Sequence, residues 1–151
     1  MLVCGSREWS DYGLIKRMLS FVDAAVVIEG GCRGADALAR RAAEELGLPI
    51  VEFPAEWGRY GRAAGPMRNE RMLREGKPDL VLAFCDSAGE SRGTRDMIRR
   101  STAAGIPVII TIVGRTRHSL ERDEATEAKL NEASDGPIDS FSLKKGAAEE
   151  R

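Results

Sequence analysis

Ala25-Val26-Val27-Ile28-Glu29-Gly30-Gly31-Cys32-Arg33-Gly34-Ala35-Asp36-Ala37-Leu38-Ala39 decides the fold class. It opens on a β-branched run, turns through paired glycines and continues as a helix, in which Leu38, Ala39, Ala42, Ala43 and Leu46 recur at helical spacing until Gly47 stops it. This reads as a strand over 25–28 and a helix from about Ala35 to Leu46. The same alternation extends in both directions. Leu2-Val3-Cys4 is a first strand, and residues 11–22 set Leu14, Ile15, Met18, Leu19 and Val22 on one helical face. Pro49 to Phe53 is a third strand, followed by a glycine- and aromatic-rich loop from Pro54 to Gly65. Pro66 can open a helix carrying Met67, Met72 and Leu73. Leu80 to Phe84 is a fourth strand and Pro107 to Ile112 a fifth, with a helix between them from about Thr94 to Ala104.

Strands that are apolar at consecutive positions need cover on both faces. Their alternation with helices predicts right-handed crossovers and a parallel sheet. The expected fold is therefore α/β, a Rossmann-like three-layer sandwich on a mainly parallel sheet of five or slightly more strands. It would occupy residues 1–113. Residues 114–151 read as a charged C-terminal extension, helical near 120–133 and frayed at its end.

Composition bounds the function. At 151 residues and 42% hydrophobic content, the chain suits one packed domain. Its net charge of −1 supplies no global field for nucleic acid, so anion binding must come from local arginines. Cys4, Cys32 and Cys85 are scattered without metal spacing and fit a reducing compartment. His118 is the one histidine, which leaves no multi-histidine metal site. No basic leader with an apolar stretch precedes Cys4, and no run approaches a membrane span, so the expectation is a cytoplasmic protein with no membrane partner and no metal.

In a parallel sheet, ligands lie at the carboxyl ends of the strands. Three such ends here combine small residues with arginine: Gly5-Ser6-Arg7, Gly30-Gly31-Cys32-Arg33-Gly34-Ala35-Asp36, and Ser91-Arg92-Gly93-Thr94-Arg95-Asp96. The latter two lead straight into helices, whose free N–H groups and positive dipole end suit a phosphate, while arginine adds charge-assisted bonds. A glycine after a strand is usually only a tight turn, but three at one edge point to an anion site. There is no GxxxxGK[ST] and no GxGxxG after the first strand, which disfavours a P-loop enzyme or an ordinary NAD dehydrogenase. Trp57 and Tyr60 could stack on a base or cover the sheet edge, and Arg68 beside Asn69 could clamp a phosphate or lie on the surface. Asp36 could cap a helix or bind a ribose hydroxyl; Asp96 could act as an acid/base or sit as a helix-start carboxylate.

Taken together, Gly5-Ser6-Arg7-Glu8-Trp9, Gly30 to Asp36, Trp57 to Gly61, Ala64-Gly65-Pro66-Met67-Arg68-Asn69 and Gly93 to Met97 resemble the YspA/YpsA-related SLOG family of bacteria and phages over about residues 1–112. The resemblance implies a Rossmann-like domain that binds a nucleotide or nucleotide-derived ligand. Two branches of the superfamily frame the detail. Lonely Guy phosphoribohydrolases carry RKxxM and PGGxGTxxE motifs. Arg68-Asn69-Glu70-Arg71-Met72 keeps the arginine and methionine, Gly93-Thr94 keeps the GT, Glu90 and Ser91 replace the paired glycines, and the catalytic glutamate falls on Met97. The DNA-processing protein A branch, which binds single-stranded DNA, has a GSR-like turn with a downstream Tyr-Gly, as in Gly5-Ser6-Arg7 and Tyr12-Gly13. Arg59, Arg62, Arg68 and Arg71 would form a local groove for a strand.

The lead expectation is a nucleotide of the AMP, NAD or ADP-ribose class, bound through Gly5, Ser6, Arg7, Gly30, Gly31, Arg33, Gly34, Asp36, Trp57, Tyr60, Arg68, Asn69, Ser91, Gly93, Thr94 and Arg95. Arg68 and Asp96 are the candidates for catalysis at an N-glycosidic or phosphoester bond. Single-stranded DNA binding and a non-catalytic sensor or scaffold role are the alternatives, and a homo-oligomer is expected.

Overall fold

A computed structural model describes residues 1–86 and 91–112 in full and the backbone of 115–118. The chain alternates β1 (Leu2–Gly5), α1 (Tyr12–Phe21), β2 (Val27–Glu29), α2 (Ala35–Glu45), β3 (Ile50–Glu52), α3 (Trp57–Tyr60), a 3₁₀ turn (Gly61–Ala63), α4 (Ala64–Gly76), β4 (Val81–Cys85), α5 (Arg92–Ala103), β5 (Val108–Ile112) and β6 (Arg115–His118). The strand order is β3-β2-β1-β4-β5-β6. The first five strands run parallel, with Val3 opposite Leu82 and Leu82 opposite Ile109 at the centre. β6 closes the edge antiparallel to β5.

Alternation along the strands builds one core on each face. Val3, Val27, Leu82, Phe84 and Ile109 meet Ile15, Met18 and Leu19 of α1 and Ala35, Ala39, Ala42 and Ala43 of α2. Leu2, Ile28, Val81, Ala83, Cys85, Val108 and Ile110 meet Met72 of α4 and Met97 of α5. This is the expected α/β three-layer sandwich. The small side chains of α2 let it lie close to β1: a Cβ on Gly5 would collide with the Phe84 carbonyl and with Ala35. Gly34, at φ 73°, passes against the backbone of Ser6 and Arg7 in a conformation open to glycine.

Two expectations change. The stretch from Pro54 to Gly65 is not one loop but holds α3 and the 3₁₀ turn, and α4 starts at Ala64, so Pro66 sits inside the first turn, where no amide partner is needed. β6 lies where no strand was anticipated, while the helix expected near 120–133 lies outside the described residues. Among the described residues no helix is long and apolar enough to cross a membrane.

Candidate functional site

β1 and β4 are neighbours in the sheet although their crossovers run in opposite directions along it, and such a switch point opens a crevice at the carboxyl ends of the strands. A cleft of about 560 Å³ lies here. Its lining includes Gly5, Ser6, Arg7, Gly30, Asp36, Trp57, Arg68, Asn69, Ser91, Gly93, Thr94 and Asp96 from the expected set. Gly31, Arg33, Gly34, Tyr60 and Arg95 stand outside the lining. Arg33 pairs with Glu8 at the surface, and the guanidinium of Arg59 lies over the Tyr60 ring.

The turn after β2 is closed by its own carboxylates. Asp36, 5% exposed, accepts from the amides of Gly30 (3.1 Å) and Cys32 (3.3 Å), so it braces the turn before its helix rather than capping the helix. Burial pushes its carboxyl up, opposed by the Cys32 amide and the Arg68 charge. Glu29, fully buried, accepts the Gly31 amide at 2.6 Å and the Arg40 guanidinium at 2.7 Å. Arg40 also reaches Glu52 of β3 at 2.8 Å. The amides of Gly30, Gly31 and Cys32 therefore already have anionic acceptors.

α4 joins this turn to α5. The Arg68 guanidinium donates through Nη1 to the Gly30 carbonyl and through Nε to Asn69 Oδ1 (3.1 Å). Asn69, nearly buried, donates through Nδ2 to the Gly93 carbonyl and to Asp96 Oδ2, both at 3.1 Å. Two adjacent residues thus hold two strand-end turns in one register. Asp96 is ion-paired with Arg99 at 2.9 Å and Arg100 at 2.8 Å. Burial raises its carboxyl, but hydrogen bonds from Arg100, Arg99 and Asn69 outweigh this and hold it below the ordinary range.

The first turn of α5 is built differently. Ser91 caps it, its hydroxyl accepting from the Thr94 amide at 3.2 Å and meeting the Thr94 hydroxyl at 2.9 Å. The amides of Arg92 and Gly93 precede any intrahelical acceptor, and no acceptor for them stands among the described residues. A Cβ on Gly93 would meet nothing within 4 Å among the described residues. Across the β1 turn, Ser6 donates to Asp86 at 2.6 Å and accepts from the Glu8 amide at 3.1 Å, which fixes the turn carrying Arg7. Half-exposed Trp57 lies over Gly65, where a Cβ would stand 3.2 Å from its ring.

The lining also holds residues absent from the expected set: Cys4, Glu8, Cys32, Arg62, Gly65, Pro66, Met72 and Arg92. Burial pushes the Cys4 thiol well above 9.0, with Asp36 and Cys85 adding to the rise and Arg68 opposing it. Arg92 was legible as the neighbour of Gly93, but the approach of Arg62 and Cys4 depends on tertiary packing. Among the described residues, no cluster of three His, Cys, Asp or Glu side chains is placed to hold a metal.

A family model for the YspA, cpYpsA-related SLOG family matches residues 1–60, which include the β1 turn, the turn after β2 and Trp57. The Gene 61 protein of Mycobacterium phage D29 is 38% identical over 119 residues, covering 72% of this chain and 93% of the phage protein. The chain belongs to the YspA, cpYpsA-related SLOG family. No solved structure matches it. Within this SLOG chain, Arg68, Asn69 and the start of α5 lie beyond the part matched by the family model.

Proposed function

We propose that this SLOG domain binds a free nucleotide, its phosphate on the first turn of α5 and its base beneath Trp57. The observation carrying this reading is the open helix start at Arg92–Gly93, held in the cleft by the Asn69 bond to the Gly93 carbonyl. Free amides, the helix dipole and an adjacent guanidinium are what a phosphate needs. Family membership agrees with a nucleotide-related ligand.

The reading stops at binding. Met97, at the position of the phosphoribohydrolase glutamate, is packed in the core at 1% exposure and can neither give nor take a proton. Asp96 is engaged by two arginines. The test is calorimetric titration of AMP into wild type and Gly93→Glu. A side chain at Gly93 enters open space, and a carboxylate in a first helical turn favours the helix while repelling phosphate. The variant should fold and lose affinity by at least about tenfold. Undiminished AMP binding by Gly93→Glu, or none by wild type, contradicts the proposal.

A second reading has one observation in its favour. Residues 56–63 are all exposed and interleave Trp57 and Tyr60 with Arg59 and Arg62, a pattern suited to stacking single-stranded bases. Anisotropy of a labelled oligothymidylate should then rise on adding protein and fall steeply with salt. No change at low salt removes this reading.

A further inference from the structure

The arginines fall into two groups. Many are neutralised within the fold, such as Arg40 by Glu29 and Glu52. Arg7, Arg62 and Arg92 have no carboxylate or hydrogen-bond partner among the described residues, and all three line the one cleft. They arrive from separate elements: the turn after β1, the 3₁₀ turn before α4, and the first residue of α5. The carboxylates on the cleft wall do not compensate them. Glu8 pairs with Arg33, Asp36 is taken up by the Gly30 and Cys32 amides, and Asp96 is held by Arg99 and Arg100.

Among the described residues, three guanidiniums thus stand uncompensated around a cleft sized for one small ligand. One phosphoryl group carries about −1.5 to −2 and is already served by the α5 amides with Arg92. Arg7 and Arg62 remain, each a rigid fork matched to phosphate oxygens. Building on the nucleotide reading above, we propose that the ligand is a nucleotide bearing a diphosphate, with Arg62 reading its second phosphoryl group. A nucleoside diphosphate brings about three negative charges on two groups, which complements the three arginines in number.

The test is titration of the full chain with AMP and with ADP at one fixed ionic strength, for wild type and Arg62→Gln. Arg62 is exposed and makes no bond within the described fold, so the substitution should leave folding intact. Wild type should bind ADP at least about tenfold more tightly than AMP, and Arg62→Gln should bring that ratio to near one. Equal wild-type affinities overturn the diphosphate assignment, and a preference for ADP that survives Arg62→Gln overturns the role given to Arg62; both leave AMP binding, and the nucleotide reading, in place. Binding of neither nucleotide overturns both.

Discussion

The turn after β2 and the start of α5 have nearly the same sequence character and opposite chemistry. Gly30-Gly31-Cys32-Arg33-Gly34 and Ser91-Arg92-Gly93-Thr94 both follow apolar strands, both contain glycine and arginine, and both open a helix. In the first, Glu29 and Asp36 occupy the amides, so glycine serves a tight turn and the close packing of α2 on β1. In the second, the Ser91 hydroxyl takes only the Thr94 amide and the cleft lies open in front of Gly93. A glycine-rich strand end becomes an anion site only if its own chain leaves the amides unoccupied.

The comparison breaks hardest at Asp36. Asp36→Ala removes the acceptor of two amides and the charge facing Arg68, and chemical denaturation should show a loss of about 3 kcal/mol. A loss under about 1 kcal/mol would mean that the turn is not held by its carboxylate. Asn69→Ala comes next. It cuts the tie to the Gly93 carbonyl and should cost about 1–2 kcal/mol and weaken AMP binding as well, since the α5 start is no longer held in register. Full stability with unchanged affinity would remove Asn69 from the account. Gly93→Glu should hold or slightly raise the melting temperature, because a carboxylate in the first turn is worth about 0.3–1 kcal/mol to the helix.

The smallest effect lies away from both turns. On the α1–α2 face, hydrogen bonds from Lys16 at 2.8 Å and Arg41 at 3.1 Å help lower Glu45 from 4.5 to about 2. A depressed carboxylate contributes stability that is fully present above pH 4.5 and lost as pH falls toward 2. Glu45→Gln should therefore flatten the acid limb of a melting-temperature profile without altering AMP affinity. An unchanged acid limb would show that the group does not contribute.

The five parallel strands and their helices were legible because apolar runs and helical periodicity are local signals. α3 and the 3₁₀ turn were not, since residues 56–63 are exposed throughout and have no buried face to set a period. Most of the cleft could be read from residues just after strands. Its division into a closed and an open half could not: the decisive contacts join Glu29 to Arg40, Arg68 to Gly30 and Asn69 to Gly93, pairings across 11, 38 and 24 residues. Arg62 and Arg59 look alike in sequence, yet the first lines the cleft unpaired among the described residues and the second lies within 3.6 Å of Glu56.

The distinction between the two turns is tested most directly by following backbone amide resonances of isotopically labelled protein as AMP is added. The amides of Arg92 and Gly93 should shift strongly while those of Gly30, Gly31 and Cys32 stay nearly in place. Large shifts at Gly30–Cys32 with Arg92 and Gly93 unmoved would contradict the account.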